Sequence, residues 1–106
     1  MSETTKQRAV SVLLRLGVSM RTRGWEYLLA VVTLAAESPE PPDTAALYRN
    51  AADAAGVSVQ TVKNGCAGAV KSALSRGLPV LPPAMSAEAF IAHAAALVRQ
   101  GIKRCR

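Results

Sequence analysis

The sequence predicts an all-α fold, a compact bundle of about five to six helices containing a helix-turn-helix. Two observations lead there. Apolar residues recur at helical spacing in several long segments, and no segment alternates apolar and polar residues at the period of a strand. Glycines and clusters of proline punctuate the chain between those segments.

Taken in order, residues 5–16 place Ala9, Val10, Leu13, Leu14 and Leu16 on a broad apolar stripe, and Gly17 stands where a helix terminator belongs. Residues 24–36 carry Trp25, Leu28, Leu29, Val32 and Ala36 on one face with Tyr27, Val31 and Leu34 beside it, a pattern for a central helix buried on most sides. Ser38-Pro39-Glu40-Pro41-Pro42-Asp43 ends that helix, because proline in a helix interior removes an N–H and clashes with the preceding turn. This reads as a surface linker, with Asp43 available to cap the next helix. A third helix is predicted at about 44–55 and a fourth at about 59–75, ended by Arg76-Gly77. Leu78 to Pro83 holds three prolines and is non-helical or at most one short turn. The last helix runs from Ala87 to Arg99 with Ser86 as its cap and Phe90, Ile91, Ala94, Leu97 and Val98 inward, and residues 101–106 form a basic tail.

With 106 residues, half of them apolar, the chain is one domain with a single core. Thirteen basic against seven acidic residues leave a net charge of +6, which favours a polyanionic partner. Nucleic acid fits better than a membrane surface, since no helix concentrates Lys and Arg on one face. The opening Met-Ser-Glu-Thr-Thr-Lys has no apolar signal core and no apolar run approaches membrane-spanning length, so a cytoplasmic location is expected. Cys66 and Cys105 have no metal-ligand or disulfide-framework spacing and read as free thiols.

The stretch from Ala54 to Asn64 carries the most information. Gly56 supplies the left-handed backbone that a tight turn between helices needs, and Ser58 can cap the second helix. Leu47, Tyr48, Ala51, Ala52 and Ala55 share one face upstream; Val62, Cys66, Ala69, Val70 and Ala73 share one downstream, so both helices can serve one core. An αα-hairpin with no nucleic-acid role uses the same glycine and cap, and a helix-turn-helix adds a DNA-reading face.

Leu16-Gly17-Val18, Gly24, Tyr27-Leu28, Leu47-Tyr48, Val62, Ala69-Val70, Ser75-Arg76-Gly77 and Phe90-Ile91-Ala92, in this order and spacing, resemble the C-terminal DNA-binding domain of the stage-zero sporulation response regulator family. The resemblance covers about residues 10–100 and implies an all-helical effector domain that binds short operator repeats in double-stranded DNA as a tandem dimer. It also implies contact with RNA polymerase sigma factor or a related regulator. The chain lacks the family's receiver domain and reads as a stand-alone effector. It departs from the family in the recognition helix, where Lys63-Asn64 and Ala67-Gly68 stand in place of a Glu-Arg and an Arg-His pair. The guanidinium fork that reads guanine is thereby lost. The segment between Gly77 and Phe90, which in the family carries the sigma-factor contact, is short and proline-rich.

The base-reading residues expected from this motif are Ser58, Gln60, Thr61, Lys63 and Asn64, with Gln and Asn suited to adenine N6 and N7. Arg21, Arg23, Lys71 and Arg76 are the phosphate candidates, the first two because they precede a helix. The other basic residues, Arg15, Arg49 and Arg99 among them, read as solvated positions, and His93 as a surface or boundary residue. Trp25 and Tyr48 read as core rather than as stacking platforms. Gly65 lies in a small-residue seam with Ala69 and Ala73 and reads as a packing glycine, whereas Gly68 has no packing reason. No nucleophile–base pair, phosphate-cradling loop or metal set stands out, so neither enzymatic activity nor a cofactor is expected. The reading is thus a DNA-binding transcriptional regulator; the alternative is a helical protein-interaction module of the same fold that has lost DNA recognition and binds a regulator or other protein.

Overall fold

Five α-helices make up the computed structural model, which describes residues 3–22, 24–37, 44–75 and 86–104: α1 (Glu3–Arg15), α2 (Trp25–Glu37), α3 (Thr44–Ala55), α4 (Val59–Leu74) and α5 (Ala87–Arg104). The described residues contain no strand. α2 is the centre of the bundle. It packs against each of the other four, which explains why its sequence is apolar nearly all round. Leu28, Val31, Val32 and Thr33 are fully buried. The Thr33 hydroxyl meets the cost of burial by donating to the Leu29 carbonyl one turn back, at 2.7 Å.

Two helices end in the same way, each with a glycine in the left-handed region. After α1, Gly17 (φ 93°) donates to the Leu14 carbonyl and Val18 donates to Leu13 at 3.0 Å. After α3, Gly56 (φ 70°) donates to Asp53 and Val57 donates to Ala52 at 3.1 Å. This paired arrangement satisfies carbonyls that a helix end leaves open, and it requires a residue without a Cβ penalty at the turn. Val18 is buried as a result, tying the exit from α1 to the core.

α2 ends differently. Its last carbonyls are met from across the bundle, where Arg99 of α5 donates through Nη2 to the Ala35 carbonyl and through Nε to that of Ala36. Arg99, expected as a solvated position, is therefore a half-buried cap on the negative end of α2. Nothing in its local sequence distinguishes it, because its partners lie more than sixty residues away.

Three other expectations are corrected. Leu14 is 46 % exposed, because α1 buries the face of Ala9, Val12, Leu13 and Leu16 and Leu14 lies beside that face. Ala55 is exposed, since the chain already turns away from the core there toward Gly56. α5 continues through Gly101 to Arg104 where a tail was expected. No proline interrupts it, and Ile102 follows Val98 at helical spacing, so the pattern outlasts the single glycine. Ser86 caps α5 as expected, its Oγ accepting from the Ala89 N–H at 3.1 Å. The expectations for residues 38–43, Arg76-Gly77 and Leu78 to Pro83, and for Arg23, Cys105 and Arg106, lie outside the described residues.

Candidate nucleic-acid interface

The unit α3–Gly56-Val57-Ser58–α4 positions the candidate site. Ser58 has extended backbone (φ −76°, ψ 155°), and its Oγ accepts from the Thr61 N–H at 3.2 Å, which satisfies one open donor at the start of α4. The same Oγ lies 2.8 Å from Thr61 Oγ1, so the two hydroxyls are engaged with each other. From this start α4 presents two faces. Val62, Cys66, Ala69, Val70 and Ala73 are buried against α2, α3 and α5. Gln60, Lys63, Asn64, Ala67, Gly68 and Lys71, at helical spacing on the opposite side, are all exposed.

The way α4 meets α2 is set by two glycines. A Cβ placed on Gly24 would stand 1.8 Å from the Gly65 carbonyl oxygen, and one placed on Gly65 would stand 2.6 Å from Cδ2 of Tyr27. Neither position tolerates a side chain without movement. Gly24 also opens α2, its carbonyl accepting the helix's first bond from the Leu28 N–H at 2.9 Å. The packing role expected for Gly65 is thus present, and its partners are Gly24 and Tyr27. Gly68 is unlike Gly65: a Cβ there would meet nothing within 4 Å.

This close approach brings the turn before α2 beside the exposed face of α4. Thr22, Gly24 and Tyr27 share one cleft with Thr61, Asn64, Gly65 and Gly68. Arg21, the residue before Thr22, is exposed. Three backbone amides of this turn are engaged: that of Arg21 donates to Ser19 Oγ, that of Thr22 to the Ser19 carbonyl, and that of Trp25 to the Thr22 carbonyl. Arg21 therefore brings charge to this edge of α4, with its own amide already engaged. Lys63 and Lys71 are exposed on α4 itself, while Arg23 and Arg76 lie outside the described residues.

The side chains of Gln60 and Asn64 are joined. Gln60 Nε2 donates to Asn64 Oδ1 at 2.8 Å, one helical turn away on the exposed surface. Their i, i+4 spacing on one exposed face is the sequence signal for this bond, which makes the two amides a pair and not independent groups. Beneath the site, burial pushes the Cys66 thiol from 9.0 up to about 12, so it is a protonated core group. Burial, then the neighbouring Cys66 and Glu88, raises the Tyr48 phenol to about 12 as well. Tyr48 and Trp25 are core residues, as their spacing indicated. His93 is at the boundary.

Among the described residues no three His, Cys, Asp or Glu side chains group as metal ligands, and no helix is long and apolar enough to cross a membrane. Comparison of the chain with protein-family models, curated proteins and solved structures finds no match to any of them.

Proposed function

We propose that the chain binds double-stranded DNA through α4 and acts as a bacterial transcriptional regulator related to the sporulation-regulator effector domains its sequence resembles. One observation carries the reading: α4 has an uninterrupted exposed face of amides, small residues and lysines, from Gln60 through Asn64, Ala67 and Gly68 to Lys71, backed by a fully packed core face. In a helix-turn-helix the start of the second helix meets base edges in the major groove. Here that end holds Gln60, Lys63 and Asn64, while Lys71 and Arg21 are charges for phosphate. The proposal includes no catalysis, cofactor or metal.

Without an arginine fork, most of the affinity comes from phosphate neutralisation, so binding is weak and falls steeply with salt. Fluorescence anisotropy of a mixed-sequence duplex at several salt concentrations tests this. Two phosphates neutralised by Lys71 and Arg21 give a log–log slope of about −1.8, at about −0.9 for each. Absence of binding at low salt refutes the proposal and favours the second reading, a helical protein-interaction module. One observation favours that reading: a cleft lined by Val10, Trp25, Leu29 and Ala30, beside a Met20 that stays 59 % exposed.

A further inference from the structure

We infer that Asn64 is the residue through which α4 reads an adenine and that Gln60 is its positioning residue; this rests on the DNA-binding reading above. Five side chains at the start of α4 were open to a role in base contact, and the geometry separates them. Ser58 Oγ accepts from the Thr61 N–H and lies in hydrogen-bond contact with Thr61 Oγ1, so both hydroxyls take part in the cap, and a single hydroxyl oxygen does not offer the separate donor and acceptor atoms of a bidentate pair. Lys63 offers donors only and cannot pair with adenine, which needs one donor to N7 and one acceptor for N6–H on the same side chain. Only the two amides have that edge.

The bond ties the two amides together, and side-chain length and position make them unequal. An amide oxygen has two acceptor sites and an amide nitrogen two donors. Gln60 Nε2 fills one acceptor site of Asn64 Oδ1, which fixes the end of the Asn64 amide that is oxygen. The second acceptor site of Oδ1 and the hydrogens of Nδ2 are left for N6–H and N7. Asn64 thus keeps a complete bidentate edge, held in one orientation before DNA arrives. Gln60 has given one of its two donors to this bond and keeps the other beside Oε1, but its longer side chain loses more rotamer freedom on ordering, which disfavours it as the reader. Asn64 also lines the cleft shared with Thr22 and Gly68, placing it between the charges of α4 and the turn carrying Arg21.

A donor–acceptor series at position 60 tests the assignment. The intact chain selects a preferred duplex from random sequence, and each variant is then measured in competition against that duplex and its single-base variants. The readout is the discrimination ratio, which a uniform change in charge does not move. Asn64→Ala is expected to lower discrimination at one A·T pair by about 10- to 100-fold, the worth of a bidentate contact. Gln60→Ala lowers it at the same pair by about 2- to 10-fold, the worth of one net hydrogen bond. Gln60→Glu, which can only accept, draws Nδ2 toward itself, turns the Asn64 amide over and lowers discrimination at least as far. Gln60→Lys keeps a donor for Oδ1 but has no adenine edge, and it retains the ratio.

If Gln60→Lys loses as much as Gln60→Ala, Gln60 is itself a reader and the assignment is overturned. Full discrimination in Gln60→Ala alongside its loss in Asn64→Ala overturns the positioning role alone and leaves DNA reading by α4 intact. A preferred duplex whose discrimination is untouched by Asn64→Ala removes Asn64 as the reader. A selection that returns no preferred sequence overturns both the assignment and sequence-specific binding. Both positions are exposed, and far-UV circular dichroism of each variant confirms that the helices are intact.

Discussion

Alanine at the glycines of the α2–α4 contact should give three different results, and the structure fixes their order. At Gly68 a Cβ has open space, so Gly68→Ala gains the helix-interior preference of alanine over glycine, about 1 kcal/mol. For a domain near 100 residues that corresponds to a rise in Tm of roughly 4–5 °C. Gly65→Ala has the same gain, but its Cβ would stand 2.6 Å from Tyr27 Cδ2 and 3.4 Å from Gly24 Cα. The Tyr27 ring can yield a little, and overpacking of about 1–3 kcal/mol turns the balance to a loss of about 1 kcal/mol. Gly24→Ala has no such outlet, because the atom 1.8 Å from its Cβ is the Gly65 backbone carbonyl. The helices must separate, at a cost of about 3 kcal/mol or more. Thermal unfolding followed at 222 nm, with urea midpoints as a second measure, ranks the three variants. Equal stabilisation by Gly65→Ala and Gly68→Ala, or a neutral Gly24→Ala, would refute the tight crossing of α2 and α4.

Alkaline pH should destabilise the fold. The Cys66 thiol titrates near 9.0 when unfolded and about 12 when folded, so the unfolded state loses its proton first and stability falls as pH rises from about 9 toward 12. Tyr48 adds to the loss above about 10, and urea midpoints at pH 8 and pH 10.5 should differ more for the native chain than for Cys66→Ala. Arg99→Met keeps much of the side chain's bulk but leaves the Ala35 and Ala36 carbonyls without their charged donor; a loss of about 1.5–3 kcal/mol in urea unfolding is expected, and an unchanged midpoint would remove Arg99 as the cap of α2.

Most of the fold was legible because the signals that define it are local. Gly17 and Gly56 each follow a helix whose apolar spacing ends there, and both adopt the positive φ expected of such a terminator. Ser58 and Ser86 precede helices and cap them. What could not be read was long-range. Gly24 and Gly65 are separated by forty residues, and only the folded chain shows that Gly24 is small because of the Gly65 backbone and Gly65 because of the Tyr27 ring. Arg99 is identified as a cap only once α5 lies beside the end of α2. In the candidate site the exposed face of α4 followed from periodicity, whereas the Gln60–Asn64 bond depends on the torsions of two flexible side chains.

Gly68 separates what the fold requires from what the proposed function requires. It costs α4 about 1 kcal/mol relative to alanine, and no neighbour within 4 Å of a Cβ accounts for it. It lies on the exposed face between Asn64 and Lys71, beside Ala67 and at the edge of the cleft shared with Thr22. In the DNA-binding reading, with the start of α4 at the base edges, the absence of a side chain at Gly68 shortens the approach of a DNA strand to this edge of the helix and lets the amides before it and the lysine after it reach together. Gly68→Ala is then expected to raise Tm while weakening duplex binding by about 3- to 10-fold, the effect of disturbing one or two hydrogen-bonded contacts. The two readouts move in opposite directions, which loss of folding cannot produce. Anisotropy titrations at one fixed salt concentration decide it: unchanged affinity in a stabilised variant would mean that nothing approaches α4 at Gly68, and the contact surface would have to be sought nearer the start of the helix.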